Sequence, residues 1–313
     1  MTRKVKTAVI GIGNMGRNHV RIYSHISNLV AIADVDSSVG EKVAKEYSVP
    51  LYKNYQEMLD KEKPEAISVV VPTQNHREVA LVCLERQIPT IVEKPLAANM
   101  KDAMDMVSSA RKNKTFLMVG HIEIFNPSVI MLKRLINVKK LGSIVSVLVV
   151  RVGISPPRSL HSDVTFDLAI HDIDVCNYLL DEYPTYSTII KRKISEDNIA
   201  DSATVVLKYK HTTAMIQTNW ITPIKIRKLY ITGTEAYAEL DYISQELTVL
   251  YKHNETAPID SFAKFISLSK FPKKKVYISK KEPLREELKF FLKNRYVFNS
   301  TYILPAIEAL RIL

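Results

Sequence analysis

Over the first 120 residues, short apolar runs rich in β-branched residues alternate with amphipathic stretches. In the amphipathic stretches the apolar residues recur every three to four positions, as they do on the buried face of a helix. This alternation predicts a parallel sheet whose strands are joined by crossover helices, an open α/β domain spanning residues 1–120. The predicted strands are 5–10, 29–34, 66–71, 90–92 and 116–120, and the predicted helices are 15–26, 39–47, 55–61, 76–85 and 100–112.

After residue 120 the pattern changes to a run of strands in which apolar and polar positions alternate. Such strands are typical of an antiparallel sheet with one solvated face. Two predicted helices, 127–136 and 167–180, flank a long predicted strand at 143–151. The other predicted strands are 188–194, 203–208, 213–219, 228–232, 236–241 and 247–251. Residues 121–313 are therefore predicted to form a second, α+β domain, and we assign the whole chain to the α/β class.

A glycine-rich loop joins the first predicted strand to the first predicted helix. Its residues are Gly11, Ile12, Gly13, Asn14, Met15 and Gly16. Between a strand and a helix, the spacing G-x-G-x-x-G is typical of dinucleotide binding, because the glycines allow a tight turn and close approach of a pyrophosphate. The phosphates would then lie at the positive end of the helix. An ordinary strand-to-helix turn is the alternative.

Asp34 ends the second predicted strand. At this place in a dinucleotide-binding domain, a carboxylate accepts hydrogen bonds from the ribose hydroxyls of adenosine. It would also repel a 2′-phosphate, and residues 35–38 contain no Lys or Arg to offset that repulsion. The sequence therefore predicts NAD, and not NADP, as the cofactor. The alternative interpretation makes Asp34 a turn or cap residue.

Polar loops also follow the third and fourth predicted strands, with Pro72, Thr73 and His76 in one loop and Glu93 and Lys94 in the other. In open α/β sheets, ligands bind at the carboxyl ends of the strands. We therefore expect these five residues to contact the cofactor, with Lys94 near its nicotinamide end. A lysine there can donate a hydrogen bond to a substrate hydroxyl, although a lysine before proline is also common in plain surface turns.

The predicted helix at 167–180 is apolar on almost all sides, and its exceptions include one narrow polar stripe of Asp167, His171, Asp174 and Tyr178. A polar stripe on a buried helix should line a cavity. His171 can accept a hydroxyl proton near neutral pH, and Asp167, one turn earlier, can orient the imidazole. A solvated stripe with an ion pair is the alternative. Asp172 is expected to face solvent, as is Asp181.

The charge balance raises the question of a nucleic-acid partner, since 44 Lys and Arg against 33 Asp and Glu give a formal net charge of +11. A basic stretch lies at 270–281, but no helix-turn-helix, zinc or RNA-binding signature accompanies it, so we expect no nucleic-acid partner. The longest apolar stretches, such as 144–150, are too short to span a bilayer, and we expect no membrane partner. Cys83 and Cys176 form neither a disulfide framework nor a metal-binding spacing, which favours a cytoplasmic protein without a metal.

Together these residues resemble the glucose-fructose oxidoreductase/inositol dehydrogenase family, called Gfo/Idh/MocA, over nearly the whole chain. Four motifs carry the resemblance: the glycine loop 11–16, the loop 72–76, Glu93-Lys94-Pro95, and the D-x-x-x-H of 167–171. The last two are the more specific. The resemblance implies a Rossmann NAD-binding domain, then a substrate-binding domain with a large, mostly antiparallel open sheet whose exposed face makes a homodimer or homotetramer. It also implies that Lys94, Asp167 and His171 form the catalytic set.

The function implied by the resemblance is hydride transfer between NAD and a secondary alcohol of a sugar, sugar nucleotide or cyclitol. Segments 120–127 and 167–174 are most similar to those of members that act on the 3-hydroxyl of UDP-N-acetylhexosamines. Ile124 stands where that subgroup has an arginine, and His161, Ser162 and Asp163 stand where relatives usually have a glycine.

Other functions remain open on the same fold. The alternative substrates are an inositol and a free sugar, and the alternative to an enzyme is a regulator that senses a dinucleotide without turnover. The retained Lys94, Asp167 and His171 argue against the regulator. Candidate contacts for an anionic substrate are Arg151, Arg158, Lys225 and Arg227.

Overall fold

The computed structural model describes residues 3–154, 163–195, 199–251, 273–297 and 303–313. It divides into two compact units, Met1–Ile122 with Glu282–Ile312, and Glu123–Lys281. Arg158, His161, Ser162 and the start of the basic stretch, 270–272, lie outside the described residues. Within the described parts of the chain, no helix is long and apolar enough to cross a membrane.

The first unit is built on a six-stranded, all-parallel sheet with the order β3-β2-β1-β4-β5-β6. Its strands are β1 Lys6–Ile10, β2 Asn28–Ala33, β3 Leu51–Tyr52, β4 Ala66–Val69, β5 Thr90–Glu93 and β6 Leu117–Gly120. The helices between them are α1 Asn14–Ile26, α2 Ser37–Tyr47, α3 Tyr55–Glu62, α4 His76–Glu85 and α5 Met100–Lys112. The predicted α/β domain is confirmed. The pattern missed β3, because a strand of two residues has no period to detect.

The strand order of the first sheet reverses between β1 and β4, which lie side by side although two strands separate them in sequence. At such a switch point the loops after neighbouring strands diverge and leave a crevice at the carboxyl edge of the sheet. The glycine loop follows β1, and the loop 72–76 follows β4. The fold therefore brings these two predicted loops to the place where open α/β sheets bind ligands.

Two C-terminal helices complete the first unit: α8 Pro283–Asn294 and α9 Leu304–Ile312. Both lie within 121–313, the range that the sequence analysis assigns to the second domain, whereas in the structure they lie with the parallel sheet. Leu284, Leu288 and Phe291 form the buried face of α8, and the Phe291 ring stacks on Phe116 with centroids 5.9 Å apart. An amphipathic pattern shows that a helix must bury one face, but it does not show which layer covers that face.

The second unit contains an eight-stranded sheet with the order β14-β13-β12-β11-β7-β10-β9-β8, in which only the β7–β10 pair is parallel among the described strands. Its strands are β7 Ile144–Val152, β8 Tyr186–Arg192, β9 Ser202–Lys208, β10 Thr213–Asn219, β11 Ile226–Gly233, β12 Ala236–Asp241, β13 Glu246–Tyr251 and β14 Lys273–Val276. The predicted, mostly antiparallel sheet is confirmed.

Side chains alternate between the two faces of this sheet, as the pleat requires. One face buries residues such as Val149, Ile216 and Leu229, and the helices α6 Pro127–Asn137 and α7 Ile170–Leu180 pack in the second unit against strands of the sheet. The opposite face carries a cross-strand row in register, Val206, Met215, Leu148 and Tyr230. These side chains are half-buried or exposed, so this face has an apolar stripe that α6 and α7 do not cover.

Candidate active site

The glycine loop makes a turn that only glycine accommodates at its first position. Gly11 has a φ of +93°, and a Cβ there would lie 2.5 Å from the carbonyl oxygen of Val70, at the end of the neighbouring β4 strand. At Gly13 the situation is the reverse, because a Cβ would meet no heavy atom within 4 Å. The backbone at Gly13 therefore borders open space, as a loop that receives a pyrophosphate requires.

The start of α1 is suited to an anion. Its first backbone hydrogen bond runs from the Arg17 amide to the Gly13 carbonyl at 3.0 Å, so the amides of Asn14, Met15 and Gly16 precede the helical ladder. No side chain caps this end, and the first turn of α1 contains no acidic residue. The free amides and the helix dipole together present positive charge where the glycine loop opens.

Asp34 lies directly after β2 and is tied to the same loop. Its Oδ2 accepts a hydrogen bond of 2.6 Å from the Ile12 amide, and its Oδ1 accepts one of 2.8 Å from the Asp36 amide. The two bonds fix the orientation of a half-buried carboxylate, while each oxygen keeps a further lone pair for another donor. Asp36 instead accepts from the Ser38 amide and caps α2. The bond from the Asp36 amide is the turn contact of the alternative interpretation, and the remaining lone pairs leave the ribose contact of Asp34 a prediction.

The loop after β4 has two predicted contact residues near the surface and a third that is buried and supports the loop. Pro72 is exposed and Thr73 half-buried, whereas His76 is only 1% exposed. The His76 ring places Nε2 2.8 Å from the carbonyl of Val71 and Nδ1 3.0 Å from the carbonyl of Pro95. Burial lowers the pKa of His76, although these carbonyls oppose the effect. His76 thus lies behind the loops and joins the segment after β4 to the segment that contains Lys94.

Lys94 follows β5 at the carboxyl edge of the first sheet, and its peptide bond to Pro95 is cis. Its side chain is half-buried. Glu93, just before it, is 8% exposed and accepts a hydrogen bond of 3.2 Å from the Lys94 amide through Oε2. Glu93 and Lys94 are both predicted to contact the cofactor. The Glu93 side chain instead points into the core of the first unit, whereas that of Lys94 is half-buried.

Sequence reasoning missed the residues around Glu93. Its Oε1 lies 3.0 Å from Nε2 of His19, and Nδ1 of the same ring lies 2.9 Å from the Ser68 hydroxyl. The Ser68 hydroxyl also lies 2.8 Å from the Tyr23 hydroxyl. The available signal was the pair His19 and Tyr23, one turn apart on the same face of α1 as the buried Gly16 and Val20. Polar groups on a buried face must find partners.

The D-x-x-x-H motif belongs to the second unit. One π-helical turn, Thr165–Ala169, leads directly into α7, and Asp163 caps it by accepting from the Thr165 amide at 2.9 Å. Asp167 and His171 are both half-buried. The indole Nε1 of Trp220, which the sequence did not identify, lies 3.3 Å from Oδ2 of Asp167 and donates to it. The sequence contains one tryptophan, so its fluorescence would report on this contact.

The stripe on this helix is not a solvated face along its whole length, because Asp174 is 2% exposed. The expectation that Asp172 faces solvent is wrong, since its side chain is fully buried in a two-pronged ion pair with Arg151. The Arg151 guanidinium donates to it from Nε at 2.6 Å and Nη2 at 2.9 Å. Asp181 is exposed, as expected.

Arg151 is therefore unsuited to the predicted contact with an anionic substrate. It is 4% exposed and also donates from Nη1 to Glu123 at 2.9 Å. Burial opposes its charge, but Asp172 and Glu123 outweigh burial and raise the pKa of the guanidinium. Arg227 donates to the carbonyls of Val152 and Ile226, and Lys225 is exposed. The pattern did not show that Arg151 and Asp172 meet, because they lie on different elements.

The predicted site residues therefore fall into two sets. The glycine loop, Asp34, Pro72, Thr73, Glu93 and Lys94 lie at the carboxyl ends of four parallel strands in the first unit, with His76 behind them. Asp167 and His171 lie on one helical segment of the second unit. Among the described residues, no group of three or more His, Cys, Asp or Glu side chains could hold a metal ion.

Comparison with known proteins relates both units to one family. Residues 5–121 match the model of an oxidoreductase family with an NAD-binding Rossmann fold, and residues 129–239 match the GFO/IDH/MocA C-terminal domain. A UDP-N-acetylglucosamine 3-dehydrogenase of Acidithiobacillus ferrooxidans is 27% identical over 81% of this chain and 79% of its own. An inositol 2-dehydrogenase of Saccharopolyspora erythraea is 28% identical over 65% of this chain and 64% of its own.

The fold is also that of a solved relative. A structure of UDP-N-acetylglucosamine 3-dehydrogenase from Acidithiobacillus ferrooxidans superposes with a TM-score of 0.85, at 23% identity, over 98% of this chain and 94% of the other. The two family models together cover most of the sequence. The chain is therefore a member of the GFO/IDH/MocA oxidoreductase family, with an NAD-binding Rossmann domain, and is a dehydrogenase that acts on CH–OH groups.

Proposed function

We propose that this protein transfers a hydride between NAD and a secondary alcohol of a sugar nucleotide, the 3-hydroxyl of a UDP-N-acetylhexosamine. The observation that carries the proposal is the position of Lys94 at the carboxyl end of β5, in the sheet whose β1 strand leads into the glycine loop. The choice of substrate is supported by the relative that is 27% identical, a UDP-N-acetylglucosamine 3-dehydrogenase.

In the proposed reaction, His171 accepts the proton of the substrate hydroxyl. Asp167, four residues earlier on the same helical segment, orients the imidazole, and Trp220 holds the Asp167 carboxylate in place. Lys94 donates a hydrogen bond to the substrate oxygen and stabilises the negative charge that develops there. The cofactor would supply a hydride acceptor, as NAD⁺, for oxidation of the substrate, and a hydride donor, as NADH, for the reverse reduction. The glycine loop would hold its pyrophosphate and Asp34 its adenosine ribose.

We also propose that the second unit binds the substrate and forms the oligomer, and that the protein works in the cytoplasm as a homodimer or homotetramer. The apolar row Val206, Met215, Leu148 and Tyr230 on the open face of its sheet supports this role. Met215 is exposed and the other three side chains are half-buried, and a contiguous apolar stripe that is open to solvent is typical of a protein interface.

A nucleic-acid partner is not part of the proposal. In the described part of the basic stretch, Lys275 lies 2.6 Å from Glu246, and Lys273 lies 4.0 Å from Glu239. These lysines stand on the edge strand β14, and carboxylates on β12 and β13 offset part of their charge. Lysines on an edge strand also discourage pairing with other strands.

An inositol is the second candidate substrate, because an inositol 2-dehydrogenase is 28% identical to the chain. Incubating the protein with NAD and, in turn, UDP-N-acetylglucosamine, UDP-N-acetylgalactosamine, myo-inositol and glucose separates the candidates by the absorbance of NADH. We expect a UDP-N-acetylhexosamine to have the highest kcat/KM. A higher kcat/KM for myo-inositol would reject a sugar nucleotide as the substrate, while the protein would still be a dehydrogenase.

The carboxylate of Asp34 predicts a preference for NADH over NADPH. We expect NADH to bind at least about tenfold more tightly at physiological salt, corresponding to about 1.4 kcal/mol. Asp34→Ala should reduce the ratio of the NADPH dissociation constant to the NADH dissociation constant, because it removes the repulsion of the 2′-phosphate. Asp36→Ala, which removes a nearby exposed carboxylate, should leave the ratio unchanged. Equal affinity of the parent protein for both cofactors would contradict the assignment of Asp34 to the ribose.

The role of His171 predicts a specific loss of turnover. His171→Ala should lower kcat by about 10² or more, since a positioned general base contributes about 10²–10⁴-fold, with little change in NADH affinity. Oxidation by the parent should increase with pH as the imidazole loses its proton, and the variant should lose that dependence. Asp167→Asn should have a milder effect. A His171→Ala enzyme with parental kcat and pH profile would exclude histidine as the base.

A further inference from the structure

One carboxylate in the first unit contacts both the helix of the glycine loop and the backbone of Lys94. Glu93 lies 3.0 Å from His19 through Oε1 and accepts from the Lys94 amide at 3.2 Å through Oε2. His19 stands on α1, the helix that begins at the glycine loop. Gly120, paired with Glu93 in register, leaves room for the carboxylate, since a Cβ there would lie 3.0 Å from Oε1.

The hydrogen bonds around Glu93 form one directional chain. Burial raises the pKa of Glu93, but His19 and Lys94 outweigh burial and lower it, so the carboxylate is ionised and accepts from both sides. With the proton of a neutral His19 on Nε2, Nδ1 accepts from Ser68, and Ser68 accepts from Tyr23. Every donor in the chain then has an acceptor.

The positions of these residues link three elements. The His19 ring joins Ser68 on β4 to Glu93 at the end of β5, and these two strands are neighbours in the sheet. His19 and Glu93 are 0% and 8% exposed, so water does not compete for their contact. A displacement of α1 would therefore move the carboxylate that holds the Lys94 amide.

We propose that His19 is a positioning residue, which acts through Glu93 to fix the backbone of Lys94 relative to the helix of the glycine loop. The inference rests on the role proposed for Lys94. The motif of the glycine loop does not require a histidine at this position. Packing alone does not require hydrogen bonds, whereas both ring nitrogens of His19 lie within hydrogen-bond distance of a polar side chain.

A buried hydrogen bond that is only structural provides the control. The Thr7 and Ser27 hydroxyls lie 2.9 Å apart between β1 and the end of α1, and the two residues are 0% and 3% exposed. Thr7→Val removes this bond with little change of shape. It therefore tests the loss of a buried bond between α1 and the same sheet, away from Lys94.

The experiment compares His19→Leu, which removes the donor to Glu93, with His19→Gln, which keeps an N–H, and with Thr7→Val. We expect His19→Leu to lower kcat by about 10- to 100-fold, the effect of misplacing a catalytic group by about 1 Å, with a smaller change in KM. His19→Gln should recover most of kcat. Thr7→Val should lower the melting temperature but leave kcat within about twofold of the parent, because its bond is remote from Lys94.

Hydrogen exchange supplies a readout that does not depend on turnover. A peptide covering residues 90–97 should exchange its amides faster in His19→Leu than in the parent or in Thr7→Val, since the Lys94 amide loses its fixed acceptor. If His19→Leu does not fold, Gly120→Ala takes its place, because the new Cβ would lie 3.0 Å from Oε1 of Glu93 and would shift the carboxylate by a few tenths of an ångström without deleting any partner. Faster exchange at residues 90–97 and a smaller loss of kcat than in His19→Leu are then expected.

The outcomes separate the inference from the proposed function. Unchanged exchange at 90–97 and parental kcat in a folded His19→Leu, or in Gly120→Ala if that variant replaces it, would overturn the positioning role. Equal loss of kcat in Thr7→Val and His19→Leu would also overturn it, because a general loss of stability would explain both. Full turnover in Lys94→Ala would instead reject the proposed role of the lysine, whatever the exchange experiment shows.

Discussion

The loops of the first unit depend on the contacts of one buried carboxylate, that of Glu93. It is 8% exposed, so its charge is stabilised mainly by groups that the fold provides, among them the His19 ring and the Lys94 amide. Removing one hydrogen-bond partner from a buried polar group costs about 1–3 kcal/mol, and more when the group is charged, because the group is left without that bond and without water. Such a contact tolerates little displacement. It therefore fixes the end of β5, and with it Lys94, against α1.

The second unit uses the same arrangement for its own candidate catalytic residue. Asp172 directly follows His171, is fully buried, and pairs with Arg151 from β7, just as Glu93 directly precedes Lys94 and pairs with His19 from α1. In each unit a carboxylate next to the candidate catalytic residue is held in the core by a side-chain N–H donor from another element. The candidate catalytic side chains are thus attached to buried parts of the fold, as precise positioning requires.

The sequence was sufficient where the local geometry depends on neighbouring residues. The tight turn at Gly11, the open approach at Gly13 and the position of the Asp34 carboxylate after β2 all follow from local order. His19–Glu93 and Arg151–Asp172 could not, because each pair joins residues that are far apart in the chain, and no period or spacing marks them. For the same reason the pattern identified Asp172 as a polar position but placed it in solvent, and it did not assign the C-terminal helix α8 to the parallel sheet.

A double-mutant cycle on His19 and Lys94 tests the central claim most directly, since it asks whether the two residues act through one another. If His19 acts only by positioning Lys94, His19→Leu lowers kcat in the parent but has little further effect on the residual turnover of Lys94→Ala. The combined loss then equals that of Lys94→Ala alone. A combined loss equal to the product of the two single losses would show that the residues act independently, and would contradict the account.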